Sequence, residues 1–256
     1  MGMGLFDILL ILVKAMITKS SKSIFSKPSH IKEDYKKMAQ VSVPGLVPQK
    51  DGSFAIFVEV PKGACPSADD LMVLSNMMKD LNCKVHLTTA QKIMIFDLNE
   101  ESGKKALEML SNTGLYAKTA LDLSQPRVCI GKPYCKLALQ ETFPLSETLM
   151  EKLAREPIAR KIKVGIAGCP ACCSWANIID IGFIGVKSGF QVFIGGHGGA
   201  RPAIGEKMGM ITTHDEAVDL VRKIAKLFRE NVTKKSRLER VIKKIGLEEF
   251  KSAVGL

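Results

Sequence analysis

The fold-deciding segment reads Val128-Cys-Ile-Gly-Lys-Pro-Tyr-Cys135 and, further along, Gly168-Cys-Pro-Ala-Cys-Cys173. It contains five of the seven cysteines, as a C-x5-C pair and then a C-x3-C pair inside a Gly/Pro turn. The turn separates two apolar runs, residues 162–166 and 178–184. Thiolates gathered from two loops are the ligands that iron–sulfur clusters require. Glycine and proline let the backbone turn tightly beside such a group. The spacing therefore favours an iron–sulfur site.

Three other interpretations of these cysteines stay open at this point. Structural zinc also uses four cysteines, but its pairs are usually spaced C-x2-4-C. Disulfides require an oxidising compartment, and the chain carries nothing that resembles a cleaved secretory signal. Buried, inert thiols are common, although five within this short stretch are unusually dense. An iron–sulfur cluster is the favoured hypothesis among the four.

Strands and helices alternate on both sides of the cysteines. The order before them is β-α-β-β-α, which suits an open sheet with helices on one face, the ferredoxin-like arrangement. A strongly amphipathic helix is expected over residues 215–231, and further basic helices follow it. Strands are predicted over residues 54–60, 84–88, 92–96, 161–166, 178–184 and 190–194, and helices over 67–79, 100–112 and 146–154.

The N-terminal region is expected to be an amphipathic helix and a polar linker over residues 1–41. Its apolar run, residues 5–17, is shorter than the roughly 20 residues that span a bilayer. It also lacks the basic region and cleavage site of a signal peptide. Lysines follow the run, so the helix could lie on an anionic membrane surface through residues 5–27. Docking on the domain or on a partner is favoured, and a cytoplasmic location is expected, with contact to the inner membrane face left open.

Composition and charge narrow the function classes. The chain has 256 residues, 46% of them hydrophobic, which is enough for one large domain or two small ones. The formal net charge is +11. No basic-aromatic motif of a nucleic-acid-binding module accompanies this charge, so nucleic acid is not expected as a partner. A positive field suits a small anionic substrate and an acidic electron donor.

The combined motif resembles the siroheme and iron–sulfur domain of the nitrite and sulfite reductase family, which reads C-x5-C, a gap and G-C-P-x-x-C. The likeness covers about residues 42–251 and includes His86-Leu-Thr-Thr-Ala-Gln91 and the closing segment 237–250. It implies an α+β fold. A ferredoxin-like half domain over residues 42–122 would precede a siroheme/[4Fe-4S]-binding α/β domain with C-terminal helices over 123–256.

The same resemblance implies roles for individual residues. Four cysteines would bind a [4Fe-4S] cluster, and one of them, Cys173, would also bridge it to the siroheme iron. The cluster ligands are Cys129, Cys135, Cys169 and Cys173. Cys172 has no role in the family. Further candidate siroheme contacts are Thr88, Thr89, Gln91, Lys92, Gly198, Gly199 and Arg201.

Cations are also expected beside the cysteines. Siroheme carboxylates and the substrate are anionic, so the site needs groups that hold anions and supply protons. Lys161 and Lys163 lie on one face of the predicted strand, because strand side chains alternate. The resemblance places a K-x-K pair and an arginine before the first cysteine at the anion pocket. Arg127, Lys161 and Lys163 are therefore the candidate catalytic residues.

Two positions depart from the family pattern. Ala90 stands where the family commonly has an arginine in T-x-R-Q, and Glu59 stands where it has another arginine. The reversed charge at Glu59 is expected to oppose an anion bound nearby.

The implied function is a siroheme–[4Fe-4S] oxidoreductase that reduces sulfite to sulfide, or nitrite to ammonia, with electrons from a ferredoxin-like donor. Full-length enzymes of the family carry two repeats, and this chain resembles the small members that carry one. Either a single domain holds siroheme with one face more open, or a homodimer completes the site. The alternative is a non-catalytic iron–sulfur electron-transfer or accessory subunit, which Ala90 and Glu59 favour.

Overall fold

The computed structural model describes residues 43–118, 123–153, 156, 158, 162–232 and 237–256. The chain forms two consecutive sheets, each packed against helices. Each sheet together with its helices is called a layer. The strands are β1 (Leu46–Pro48), β2 (Phe54–Glu59), β3 (Lys84–Leu87), β4 (Ile93–Leu98), β5 (Tyr116–Ala117), β6 (Arg127–Val128), β7 (Val164–Ala167), β8 (Ile181–Val186), β9 (Gly189–Ile194) and β10 (Glu206–Ile211). The helices of eight residues or more are α1 (Ala68–Asp80), α2 (Glu100–Ser111), α3 (Phe143–Leu153), α4 (His214–Asn231), α5 (Leu238–Ile245) and α6 (Leu247–Val254).

The first layer is an antiparallel sheet in the order β1-β2-β4-β3, with β5 pairing to β2. Both of its helices begin at a reciprocal capping box: Ser67 with Asp70 for α1, and Asn99 with Ser102 for α2. Such caps satisfy backbone N–H groups that the first helical turn leaves unpaired. Ile56, Ile95 and other apolar side chains of the sheet pack against α1 and α2 in one core. The ferredoxin-like half domain expected from the sequence is confirmed.

The second layer is a five-stranded sheet in the order β10-β9-β8-β7-β6. Strands β6, β7 and β8 are parallel, and β8, β9 and β10 are antiparallel. Helix α4 begins at a capping box of Thr213 and Glu216 and buries one apolar stripe. That stripe joins α3, α5, α6 and the sheet in a single core. The α/β arrangement expected for the cysteine-bearing half is therefore present.

Glycines hold β8 against the cysteine turn. A Cβ atom at Gly185 would lie 2.4 Å from the carbonyl oxygen of Gly168, and one at Gly182 would lie 2.0 Å from that of Ala176. Real Cβ atoms do not approach so closely, so these positions require glycine for backbone contact. The cysteine turn thus rests directly on a sheet strand.

Several predicted elements differ from the structure. The strand predicted over residues 161–166 begins at Val164 and ends at Ala167, so Lys163 precedes it. Strand β10 was not predicted, and neither were the short strands β1, β5 and β6. Lys161, the segment 5–27 and the predicted N-terminal region 1–41 lie outside the described residues. Within the described ranges, no helix combines the length and the apolar character that crossing a bilayer requires.

Candidate functional site

Five cysteines border one cavity of about 260 Å³. Cys129 and Cys135 come from the loop after β6, and the other three come from the turn after β7. All are free thiols, so the disulfide interpretation is not supported. The structure brings together the four predicted cluster ligands, and the fifth thiol joins them. The cysteines at the cavity are Cys129, Cys135, Cys169, Cys172 and Cys173.

Parallel pairing explains why the two cysteine loops meet. Val128 of β6 lies opposite Ile166 of β7 in register, and neighbouring parallel strands end at the same sheet edge. Cys129 donates its backbone N–H to Ile166 at 3.1 Å. The N–H of Gly168 donates to Cys129 Sγ at 3.0 Å. Hydrogen bonds to cysteine sulfurs help to set the reduction potential of a cluster.

The second loop coils tightly between Cys169 and Trp175. The N–H of Cys172 donates to Cys169 O at 3.1 Å, and that of Trp175 donates to Cys172 O at 2.8 Å. Cys172 and Trp175 both have positive φ angles, 53° and 56°, in the left-handed region that non-glycine residues rarely enter. This coil buries Cys169 and exposes Cys173. An exposed Cys173 suits a thiolate that must also meet a second cofactor.

Cys172 differs from the other thiols of the cavity. Its Sγ lies 3.4 Å from Asn177 Oδ1, and burial raises the pKa of this thiol. Burial in apolar surroundings keeps a thiol protonated and unreactive. These features agree with its lack of a family role.

The thiols do not converge on a single point. In the part of the chain that the structure describes, no three His, Cys, Asp or Glu side chains form a set that could hold one metal ion. Zinc would need four ligands within about 2.3 Å of one centre. A cubane differs, because each thiolate binds a different iron of the cluster. Four thiols spread around a shared cavity match this second requirement.

Arg127 offers an unsatisfied cationic donor beside the cysteines. Its guanidinium carbon lies 5.5 Å from the centre of the Trp175 ring. Its Nε is buried and has no hydrogen-bond partner among the described residues. Burial also lowers the pKa of the guanidinium. A buried donor without a partner is costly, so this arginine is suited to an anion that arrives from outside the protein.

Lys163 is held by hydrogen bonds at both its backbone and its side chain. Its N–H donates to Asp180 Oδ2 at 3.1 Å, and its Nζ donates to Ser124 Oγ at 3.2 Å. The ammonium of Lys118 donates to the same Ser124 hydroxyl. No sequence signal indicates Lys118, because its proximity to Lys163 depends on contacts between distant segments.

Glu59 and Lys92 form an ion pair at the junction of the two layers. The Lys92 ammonium donates to Glu59 Oε1, and the Glu59 side chain is only 1% exposed. Glu59 Oε2 also accepts from the N–H of Gln125 at 3.2 Å. The expectation that Glu59 opposes a nearby anion needs correction, because Lys92 already balances its charge. Lys92, predicted as a siroheme contact, is held by this pair.

Other predicted siroheme contacts hold the turn between β3 and β4. Thr88 Oγ1 donates to Lys92 O at 3.0 Å and accepts from its N–H at 3.1 Å. The side-chain amide of Gln91 bonds both backbone groups of Val128. Thr89 is exposed at the tip of this turn. The structure thus gives Thr88 and Gln91 structural partners within the chain.

Gly198, Gly199 and Arg201 lie in an exposed loop after β9. The backbone groups of His197 and Ala203 bond to each other at 3.0 and 2.9 Å and close this loop. A Cβ atom at Gly198 or Gly199 would meet nothing within 4 Å. These three residues do not border the cysteine cavity, so the structure does not bring them to it.

A second cavity of about 380 Å³ adjoins the first. The two share Gln91, Val128 and Ile130 as wall residues. Half-domain residues, including Cys65, Leu87 and Lys92, form the far wall. Together the cavities extend from the thiols to the half domain, which leaves room for a cofactor beside the cluster.

Family comparisons cover both layers. A family described as the nitrite and sulphite reductase 4Fe-4S domain matches residues 120–256. Another, described as the nitrite/sulfite reductase ferredoxin-like half domain, matches residues 47–112.

Individual proteins agree with the family matches. The assimilatory-type sulfite reductase of Nitratidesulfovibrio vulgaris is 27% identical over 212 residues, which cover 82% of this chain and 96% of that protein. The nitrite reductase [NAD(P)H] of Bacillus subtilis is 25% identical over 211 residues, which cover 80% of this chain but 26% of that protein.

Two solved structures share the fold. The NirA protein of Mycobacterium tuberculosis superposes with a TM-score of 0.66 at 24% identity, over 81% of this chain and 41% of its own. Dissimilatory sulfite reductase I superposes with a TM-score of 0.69 at 12% identity, over 93% of this chain and 84% of its own.

Proposed function

The chain belongs to the nitrite and sulphite reductase family, and on that premise we propose that it is a siroheme–[4Fe-4S] oxidoreductase that reduces sulfite to sulfide. The expected cofactors, a [4Fe-4S] cluster and siroheme, agree with this membership. Nitrite, reduced to ammonia, is the alternative substrate. Sulfite is preferred because the relative matched over 96% of its length is a sulfite reductase.

One observation carries the proposal. Four family-motif thiols border one cavity, and Arg127, two residues before Cys129, is half-buried with a buried Nε that has no hydrogen-bond partner among the described residues. Thiols of this pattern fit a cluster, and an unsatisfied guanidinium donor fits an anion. The residues present therefore suit both the cofactors and an oxyanion.

The chain's own residues would supply positioning, charge and protons. When bound, the cluster and siroheme supply electrons and the iron at which the anion is reduced. The thiolates of Cys129, Cys135, Cys169 and Cys173 would hold the cluster. Arg127 would orient the anion through its planar fork of N–H groups. Lys163 would add positive charge and deliver protons as the oxygen atoms leave as water.

Electrons must enter where a donor can reach the cluster. The loop between Cys129 and Cys135 presents exposed Lys132 and Lys136 around exposed Tyr134. An apolar centre with a charged rim is typical of transient protein interfaces. We propose that an acidic, ferredoxin-like donor docks on this loop. The homodimer remains a prediction, and so does the membrane contact through residues 5–27, which lie outside the described residues.

A non-catalytic electron-transfer subunit is the second candidate function. Ala90 leaves the family's arginine position without a cation, and Lys92 is held by Glu59. Fewer cations around the second cavity would weaken the binding of a cofactor that carries many carboxylates.

The visible spectrum of protein purified without oxygen tests the proposal. Siroheme gives a Soret band and a band in the red, which a cluster by itself lacks. Turnover with sulfite and with nitrite, driven by a reduced viologen dye, would then establish the enzyme and rank its substrates. A spectrum with the cluster shoulder and no siroheme bands would instead support the electron-transfer subunit.

A further inference from the structure

The short segment from Asn177 to Ile181 contacts the cysteine turn, Lys163 and the loop after β9. Asn177 Oδ1 lies 3.4 Å from Cys172 Sγ in the cysteine turn, and its carbonyl accepts the N–H of Gly205 at 2.8 Å. The Asp180 carboxylate accepts the backbone N–H of Lys163, the residue before β7. The segment therefore lies between the cysteines, the proposed anion-binding lysine and the loop after β9.

Asp180 fixes the backbone of Lys163. Its carboxylate accepts the N–H of Lys163 at 3.1 Å, while the carbonyl of Lys163 accepts the N–H of Ile181 at 3.0 Å. Regular pairing of β7 and β8 begins one residue later, where Val164 lies opposite Ile181. The Asp180 side chain thus supplies a hydrogen bond to the backbone N–H of Lys163, which lies outside the strand. Both backbone groups of Lys163 are held, and so is the direction of its Cα–Cβ bond.

Asp180 also holds the start of the loop after β9. Its carbonyl accepts the N–H of Gly195 at 2.8 Å. The next residue, Gly196, packs on the same segment so closely that a Cβ atom there would lie 2.6 Å from Asn177 O. One residue therefore ties together Lys163 and the base of the loop that carries Gly198 and Gly199.

Charge at Asp180 matches this arrangement. The residue is 3% exposed, and burial raises the pKa of its carboxyl to about 6, although Arg237 and Lys163 oppose the shift. Arg237 Nη1 lies 3.9 Å from Asp180 Oδ2. The carboxyl group faces two cationic residues, Arg237 and Lys163, and their charges favour its ionised form.

We infer that Asp180 is a positioning residue of the anion site, which holds Lys163 and the loop after β9 in place without contacting the substrate. The inference rests on the proposed function of Lys163. It depends on a hydrogen-bond acceptor at a fixed place, so asparagine should replace aspartate better than alanine does.

The test measures anion binding and turnover separately in the cofactor-loaded protein. The dissociation constant for sulfite is read from the shift of the siroheme visible bands, and KM and kcat are read from dye-driven assays. Lys163→Ala should weaken sulfite binding, and Asp180→Ala should weaken it by about tenfold, the scale of one lost hydrogen bond. Asp180→Asn should stay within about threefold of wild type. Adding Asp180→Ala to Lys163→Ala should cause little further loss, because the two residues act as a unit.

Controls separate positioning from general damage. Asp70 is a buried carboxylate of the half domain that caps α1 and bonds Gly114, so Asp70→Ala should lower stability and leave the sulfite dissociation constant unchanged. If Asp180→Ala does not load cofactor, Asp180→Ser is compared with Asp180→Asn in its place. The serine hydroxyl is too short to reach Lys163.

Three results would contradict the inference, and one of them would also contradict the proposed role of Lys163. Normal sulfite binding by Asp180→Ala, or by Asp180→Ser, would overturn the inference. If Lys163→Ala still binds sulfite more weakly than wild type, the proposed anion site stands without the role of Asp180. Equal weakening by Asp180→Asn and Asp180→Ala would overturn it as well, since charge and not position would then matter. A Lys163→Ala variant that binds sulfite normally would remove the lysine from the proposed site, and the inference with it.

Discussion

The side-chain amide of Gln91 hydrogen-bonds both backbone groups of Val128, donating to its carbonyl at 2.6 Å and accepting from its N–H at 2.8 Å. Gln91 has a positive φ of 59° and belongs to the half domain. Val128 directly precedes the first proposed cluster ligand. One amide thus joins the half domain to the strand from which Cys129 emerges, and it acts as an extra strand partner for β6.

We expect Gln91→Ala to loosen this junction. Two buried backbone groups would lose their partner, at a cost of about 1–3 kcal/mol in the free energy of unfolding. The first cysteine loop would open more often, so an iron chelator should bleach the cluster faster than in wild type. Gln49→Ala is the matched control, because Gln49 bonds a backbone carbonyl in the half domain far from the cysteines along the chain. An unchanged bleaching rate in Gln91→Ala would contradict the assigned role.

The Glu59–Lys92 pair predicts a large stability effect. Removing one member of a buried pair leaves an uncompensated charge, so Glu59→Ala should lower the free energy of unfolding by about 3 kcal/mol. The double replacement Glu59→Leu with Lys92→Met should recover much of the loss. Chemical unfolding followed by circular dichroism measures both. Glu101→Ala, which breaks an exposed pair with Lys105, should cost about 0.5 kcal/mol or less.

Cys135 and Cys172 should respond differently to replacement, although both border the cavity. Cys135→Ala removes a proposed ligand, so iron and acid-labile sulfide should fall well below the value of about four per chain. Cys172→Ala should retain both, because that thiol is buried beside Asn177. Iron and sulfide assays on protein purified without oxygen decide this. Loss of the cluster in Cys172→Ala would reassign the ligand set.

We expect the replacement of Arg127 to weaken sulfite binding without lowering the stability of the fold. Arg127→Ala removes a buried donor that has no partner in the described chain, so the free energy of unfolding should change little or rise. The sulfite dissociation constant should increase by about tenfold or more, the scale of a charged hydrogen bond. Arg127→Lys should rescue little, since an ammonium lacks the planar fork. Arg222→Ala, on α4 and paired with Glu156, serves as the control for binding.

Charge reversal on the loop between Cys129 and Cys135 tests the electron donor. The double variant Lys132→Glu with Lys136→Glu should raise KM for an acidic ferredoxin by about tenfold, and the dependence of KM on salt should weaken. Turnover driven by a small viologen dye should stay at the wild-type rate. Lys50→Glu and Lys207→Glu place the same charges on other exposed sites, and they should leave the KM for ferredoxin near its wild-type value.

Local signals in the sequence predicted much of the fold. Ser67 at the start of α1 and the apolar stripe of α4 are visible in the chain itself, and both elements lie where they were expected. Strand β10 was missed because Glu206-Lys-Met-Gly-Met-Ile211 alternates weakly and contains a bulge before Gly209. The segment becomes a strand by pairing with β9, and a local sequence pattern does not predict this contact.

Part of the candidate site was predictable from the sequence, and part of it was not. The resemblance, which the cysteine spacing carries, implied the four cluster ligands. The parallel pairing of β6 and β7, which was not predicted, explains why the two cysteine loops meet. The roles of Glu59 and Asp180 were not predictable, since each depends on a partner from a distant segment. The charge of Glu59 looked unfavourable in isolation, and its effect changed once Lys92 was found beside it.

The single tryptophan of the chain, Trp175, is 49% exposed and stacks near Arg127 in the cysteine turn. Its emission therefore originates next to the place where the coloured groups would sit, and these absorb light at the wavelengths that indole emits. Loading of the protein should quench this fluorescence, and release should restore it. The molecule thus carries its own optical reporter of maturation, which needs neither a label nor a substrate.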